Sequence, residues 1–314
     1  MRIVRIDVYK ISYELVDKRY AWSRGHSVSL MDSTIVKITT DEGLMGYGEC
    51  CPLGSAYMSA YPEGVRSGLR ELGPMLLGQD PLQIDAINVL MDHALSGHNY
   101  VKSPIDIACW DILGQATGQP VCTLLGGRYV DDYPLYRPIS QGSPEKMAED
   151  VVRFLSEGYH RFQLKVGGDP DEDVARIKAV LKVTGLGDVV IADANTGWTM
   201  HGATRVVNGL AQEDVYIEQP CLTLTECLAI RARTSLPMVI DELITGIGTL
   251  LEAYEKGAMD VINIKLSRVG GLTKAKQIRD LAQNLGLGLT LEDSHGGDII
   301  TTAIAHLVGS TRPE

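Results

Sequence analysis

From residue 132 onward, short apolar runs and amphipathic helical stretches alternate without a break, and no other feature limits the fold so strongly. The runs fall at 133–138, 161–166, 189–193, 215–218, 237–241, 261–265 and 287–291, with helical stretches such as 143–157, 171–183, 223–233 and 273–284 between them. Strands separated by single helices build a parallel sheet, and this many units in a row argue for a (β/α) barrel. A doubly wound open sheet would carry a glycine-rich phosphate turn after its first strand. The residues there, Ile139-Ser140-Gln141-Gly142, match that turn poorly.

The chain before this point follows a different pattern. Residues 3–11 and 33–40 alternate apolar with polar side chains, as half-buried strands do, and a further short strand runs to Gly48-Glu49. Helical patterns then start near Pro62, Pro81 and Pro104, each proline suiting a first turn. The third carries Ile105, Ala108, Cys109 and Ile112 on one face and stops at Gly118. The expectation is an α/β protein with an α+β capping domain over 1–127 and a modified (β/α)7β TIM-type barrel over 128–314. An eighth barrel strand has no sequence left after the helix near 299–308. Either the chain stops short of a natural C-terminus, or another segment closes the gap, because an open barrel exposes two strand edges.

Composition narrows the function classes. The chain has 314 residues, with Lys+Arg 29 against Asp+Glu 40 and a net charge of −11, and it has no clustered basic stripe. That argues against nucleic acid and against an anionic membrane surface as partners. The N-terminus MRIVRIDVYK holds no signal-like apolar core, and no run approaches the ~18 residues of a membrane span. Cys50, Cys51, Cys109, Cys122, Cys221 and Cys227 make no zinc-type pair of C-x-x-C motifs and read as reduced thiols. A cytoplasmic protein is expected.

The chemistry is written at the strand ends. DVVIADAN ends on Asp193, VYIEQP on Glu218 and PMVIDE on Asp241. The C-terminal ends of barrel strands converge on one mouth, where barrel enzymes keep their active sites. Three carboxylates there repel one another unless a cation neutralises them, and hard oxygen ligands suit Mg²⁺. Lys165 (RFQLK) and Lys265 (VINIK) end the strands to either side. A lysine near a divalent cation has its charged form disfavoured and moves toward general-base duty. A metal gripping a substrate carboxylate, flanked by two lysines, is a device for removing the proton α to that carboxylate.

This set, DAN, IEQP, DE and K-x-S-R-x-G-G in order, resembles the enolase superfamily in its mandelate racemase/muconate lactonizing branch, over nearly the whole chain. Lysine or histidine bases working with Mg²⁺ are an established pattern for that superfamily. The resemblance implies Asp193, Glu218 and Asp241 as Mg²⁺ ligands and Lys165 and Lys265 as the acid/base pair. Where relatives often carry K-x-K, this chain has Gln163-Leu164-Lys165. With LMDHALSGHNYVKSPIDIACWDILGQATGQP and EDSHGGDI, this is similar to the cis-3-hydroxy-L-proline dehydratase and hydroxyproline-betaine epimerase group. The implied substrate is a small proline-type carboxylate, to be dehydrated, with racemisation or epimerisation of proline betaine or hydroxyproline betaine as the alternative. Cycloisomerase or dipeptide epimerase activity ranks third, and a metal-binding pseudoenzyme is the non-enzyme reading. His295 stands where that group often has an aromatic side chain, which favours a secondary amine over a quaternary betaine.

Further candidates lie around the same mouth, and the loop near 16–27 matches where relatives carry a substrate cover. Asp293 would meet a substrate ring nitrogen. Glu242 would pair with a lysine behind the site, and Asn195 would either support the metal ligands from behind or cap the following turn. Tyr20 and Trp22, in a substrate-covering loop near 16–27, would seal the pocket. Gly270-Gly271, at a helix start, is a candidate anion seat. Barrels of this type commonly assemble in even numbers, so a homo-oligomer is expected.

Overall fold

The alternation near the N-terminus becomes an antiparallel sheet of β1 (Ile3–Glu14), β2 (Leu30–Thr40) and β3 (Met45–Cys50), in that order. Val8 pairs with Val36 and Val36 with Gly48, so side chains of one parity share the face that turns to the helices. Those helices are α1 (Pro62–Leu76), α2 (Ile84–Ala94) and α3 (Asn99–Thr117). Val36, Ile38, Leu72, Met91, Ile105 and Ile112 meet in one buried cluster. This is a computed structural model, and it describes residues 1–313. Two helix starts differ from expectation. Pro81 lies in the turn before α2, and Pro104 lies inside α3, which begins at Asn99 after His98 turns the chain at φ 48°. Pro104 forgoes one intrahelical hydrogen bond, and the helix runs on through it with Val101, Ile105, Ala108 and Cys109 buried.

The second half builds the parallel sheet. Its strands are β4 (Arg137–Ile139), β5 (Arg161–Lys165), β6 (Val189–Asp193), β7 (Tyr216–Glu218), β8 (Met238–Ile240), β9 (Val261–Lys265) and β10 (Gly288–Glu292). Neighbours in sequence are neighbours in the sheet, with β4 and β10 at its edges. The helices between and after them are α4 (Pro144–Ser156), α5 (Pro170–Leu181), α6 (Met200–Gly209), α7 (Leu224–Arg231), α8 (Ile247–Glu255), α9 (Leu272–Asn284) and α10 (Asp298–Gly309). Ser143, Asp169, Thr199 and Thr223 accept backbone N–H bonds at the starts of α4 to α7, which sets where each helix begins. The strict alternation read from the sequence is therefore a (β/α) architecture with seven strands.

Tertiary contacts group the chain into two units. Residues 1–16, 30–133 and 264–314 form the first, and residues 17–29 with 134–263 form the second.

Register explains the strand-end pattern. Lys165 is level with Asp193, Asp193 with Glu218, and Glu218 with Val239. Val239 in turn is level with Val261. Side chains alternate across a sheet, so Gln163, Lys165, Asp193, Glu218, Asp241 and Asn263 share one face. Leu164, Ala192, Ile217, Ile240 and Ile262 take the other face and are fully buried. Each strand thus presents chemistry on one side and core on the other.

Candidate active site

In the second unit the polar face is closely hydrogen-bonded. Asp193 and Asp241 are wholly buried and Glu218 nearly so. Lys165 Nζ donates to Asp193 Oδ2 at 2.5 Å, and Asn195 N donates to Asp193 Oδ1 at 2.8 Å. Glu218 accepts from two amides, Gln163 Nε2 at 2.8 Å and Asn263 Nδ2 at 2.9 Å. Asn195 Nδ2 reaches Glu242 Oε1 at 3.0 Å, so Asn195 links the end of β6 to the residue after Asp241.

Burial works against the charge of Lys165, but Asp193 foremost, then Tyr20 and Glu218, outweigh it and hold the ammonium well above the usual lysine range. With Asp193 as its partner, Lys165 keeps its proton.

The covering loop belongs to this unit as well. Tyr20–Ala21 and Ser27–Val28 form a short antiparallel pair. Ala21 N donates to Ser140 Oγ at 2.8 Å, Ser23 Oγ to Asn195 O at 3.3 Å, and Arg24 Nη2 to Thr196 O at 2.8 Å. Trp22 is buried and stacks between Tyr20 and His26. The loop is therefore latched to the carbonyls that follow Asp193. Asn195 and Thr196 both adopt left-handed backbone, at φ 42° and 62°, which turns those carbonyls toward it.

In the first unit, Lys265 Nζ lies 2.8 Å from Glu292 Oε1 and 5.4 Å from the Tyr57 ring centroid. Burial, then Asp293 beside it, push the Glu292 carboxyl up to about 8. Asp293 accepts from Ser267 N at 2.8 Å, from Ser267 Oγ, and from Ser294 N at 2.6 Å. Its carboxyl is raised by burial, against these hydrogen bonds. Burial lowers the His295 imidazole, with Glu49 pulling the other way, so His295 is neutral at pH 7. Gly270-Gly271 is not an anion seat. Asp106 fills it from within, accepting from Thr273 N at 3.0 Å, and a Cβ on Gly271 would lie 2.4 Å from its Oδ2.

Residues 18–126 match the mandelate racemase/muconate lactonizing enzyme N-terminal domain, and residues 146–314 match the enolase C-terminal domain-like family. The chain is also 57% identical over its full length, and over 86% of the relative's, to a cis-3-hydroxy-L-proline dehydratase of Roseibium aggregatum. It belongs to the mandelate racemase/muconate lactonizing enzyme family of the enolase superfamily. It is an enzyme of that family. A solved enolase-superfamily member from Roseovarius nubinhibens, complexed with magnesium, superposes with a TM-score of 0.93 at 40% identity, covering 99% of this chain and 84% of that one. The N-succinyl Arg/Lys racemase of Bacillus cereus superposes with a TM-score of 0.94 at 33% identity, covering 99% and 85%.

Family membership sharpens the reading of the donor set. Two aspartates and one glutamate, buried and offering only oxygen, have the chemistry of a hard divalent-cation site. Among the described residues, however, no three acidic, histidine or cysteine side chains converge closely enough to hold an ion as they stand. Asp193 is turned to Lys165, and both Glu218 oxygens are turned to amides. The residues fit the cation in kind, and Lys165 holds one of the Asp193 oxygens as they stand.

Several residues escaped sequence reasoning. Asn263 is one, although its signal was present: Gln163-Leu164-Lys165 and Asn263-Ile264-Lys265 both read amide-x-lysine, which sets an amide one step deeper on the lysine's face. Gln219 is another. It is buried at φ 36°, donates through Nε2 to Cys221 O at 3.0 Å, and accepts from Asp241 N at 3.0 Å, tying the ends of β7 and β8 together. Tyr57 and Glu49 carried no local signal at all.

Proposed function

We propose that this enzyme dehydrates cis-3-hydroxy-L-proline. The observation that carries this reading is the 57% identity, end to end, with a dehydratase of that name. The neutral imidazole at His295 supports it, being better suited to a secondary amine than to a quaternary ammonium. We take Asp193, Glu218 and Asp241 to hold Mg²⁺. Bound there, the cation would supply positive charge against the extra negative charge that builds on the substrate carboxylate as the α-proton leaves.

The chain's own groups do the rest. One of Lys165 and Lys265 accepts the α-proton as the amine, and the electron pair left at Cα forms a double bond to C3 as the C3–O bond breaks. The other lysine, as an ammonium, protonates the departing hydroxyl to water. Gln163 and Asn263 keep Glu218 aimed through one amide hydrogen bond to each carboxylate oxygen. Asn195 and Glu242 brace the metal ligands, Asp293 and His295 face the substrate ring, and Tyr20 and Trp22 close the loop over it and exclude water. In this proposal 1–127 is the capping domain, 128–314 is the catalytic barrel, and the enzyme works as a cytoplasmic homo-oligomer.

The test is proton NMR in D₂O with Mg²⁺, with cis-3-hydroxy-L-proline and L-proline betaine in separate tubes. Loss of the hydroxyproline signals with growth of an imine or enamine product is the expected result. Deuterium uptake at the betaine α-carbon, with racemisation and no elimination, would replace the dehydratase with a racemase.

A further inference from the structure

Glu49, on β3, is wholly buried. Its carboxylate collects donors from three separate segments of the first unit. Tyr13 Oη on β1 donates at 3.2 Å and Ser33 Oγ on β2 at 2.6 Å. The backbone N–H groups of Gly297 and Ile300, at the start of α10, donate at 2.8 and 3.2 Å. Among the described residues no lysine or arginine forms an ion pair with it. This carboxylate is balanced by hydroxyls and a helix N-terminus, so its charge is committed to one place in the fold.

The turn it grips has been cleared of side chains. A Cβ on Gly297 would lie 2.5 Å from Tyr13 Oη and 3.4 Å from Glu49 Oε1. Gly296 sits at φ +151°, and a Cβ there would lie 2.1 Å from Ile300 Cγ2. The same carboxylate pushes the Tyr13 phenol further in the direction that burial already drives it, up to about 12, so Tyr13 stays a donor at any physiological pH.

The segment between β10 and α10 is thus tied at both ends. Ser267 anchors Asp293 at one end, and Glu49 anchors Gly297 at the other. His295 lies between the two anchors. We propose that Glu49 is a positioning residue: from outside the barrel strands it fixes the 293–297 segment, and with it the side chains that select the substrate ring. The selecting role rests on the function proposed above, whereas the anchoring does not.

The test uses Glu49→Gln, which keeps the volume but turns an amide –NH₂ toward backbone N–H donors it cannot satisfy. Amide hydrogen exchange across 294–302 is expected to quicken about tenfold or more, as befits losing charge-assisted bonds to two of those amides. KM for cis-3-hydroxy-L-proline is expected to rise about tenfold while kcat stays within about threefold, the signature of lost uniform binding. The Mg²⁺ dissociation constant should not move, because Asp193, Glu218 and Asp241 end other strands. Tyr13→Phe and Ser33→Ala each remove one donor and leave the helix cap in place, so smaller shifts in the same direction carry the test if Glu49→Gln does not fold. Unchanged exchange at 294–302 would overturn the proposal. Faster exchange with an unchanged KM would also overturn it, leaving Glu49 a purely structural group. If the wild type were inert toward the hydroxyproline, the functional reading would fall, and exchange alone would decide whether Glu49 holds the segment.

Discussion

Replacing Lys165 with methionine isolates the contact on which the site turns. The pair is almost fully buried, with side-chain exposures of 7% for Lys165 and 0% for Asp193, and its atoms stand 2.5 Å apart. At an effective dielectric near 20, that separation corresponds to roughly 6–7 kcal/mol of attraction before desolvation is charged against it. Removing one partner of such a pair typically costs about 3–5 kcal/mol, because the other charge is left buried and alone. At roughly 2 °C per kcal/mol for a chain of this size, the metal-free variant should melt ~6–10 °C below wild type.

Mg²⁺ should reverse the order of response. With Asp193 as a ligand, as proposed above, the cation must displace Lys165 in the wild type, whereas in K165M the carboxylate is already released from it. The variant should bind Mg²⁺ at least about tenfold more tightly, a difference of ~1.4 kcal/mol. At about 100 times its dissociation constant, the cation should return ~2.7 kcal/mol of stability. Turnover should fall about 10²–10⁴-fold, as expected when an acid/base group is lost.

The lysine's folded-state pKa lies above its ordinary value of 10.5. The pair's contribution is therefore complete below that value and is lost only as pH rises through the folded-state pKa. The stability gap between wild type and K165M should accordingly be constant from about pH 6 to 9. Calorimetric Mg²⁺ titration and melting curves with and without the ion read all of this. Equal Mg²⁺ affinity and equal Mg²⁺-induced stabilisation in the two proteins would refute the claim that Lys165 and the cation compete for Asp193.

Two further outcomes are expected. Arg24→Ala deletes the latch to Thr196 O, worth about 1 kcal/mol, so chymotryptic cleavage at Tyr20 and Trp22 should quicken roughly fivefold while the melting temperature barely moves; unchanged cleavage would mean that Arg24 does not hold the loop. Burial lowers the His295 and His306 imidazoles below 6.5, so each contributes stability that is present above that value and lost as pH falls through it. His295→Asn should shallow the fall in melting temperature between about pH 6.5 and 5 without removing it, and identical acid limbs would show that His295 is not buried as neutral imidazole.

The sequence by itself determined the architecture and the set of charged residues at the strand ends. Short apolar runs alternating with amphipathic helical stretches admit few folds other than seven β/α units, and this one signal placed Lys165, Asp193, Glu218, Asp241 and Lys265 at strand ends. Strand parity, a local property of the chain, then puts Gln163 on the same side of its strand as Lys165, and Asn263 on the same side as Lys265. Tertiary structure decided what parity cannot. Lys165 spends its charge on Asp193 because the two strands pair in one register, and a shift of one residue would have turned those side chains to opposite faces. Gln219 reaches Asp241 N, and Asn263 reaches Glu218, only because neighbouring strand ends stand within hydrogen-bond reach of each other. Glu49 lies some 250 residues from the turn it holds, as its bond to Gly297 shows. In the sequence it is one more polar residue ending a short strand. Its meaning arises where β1, β2 and the start of α10 meet, since a buried carboxylate is defined by the donors that surround it, and those come from wherever the fold brings them.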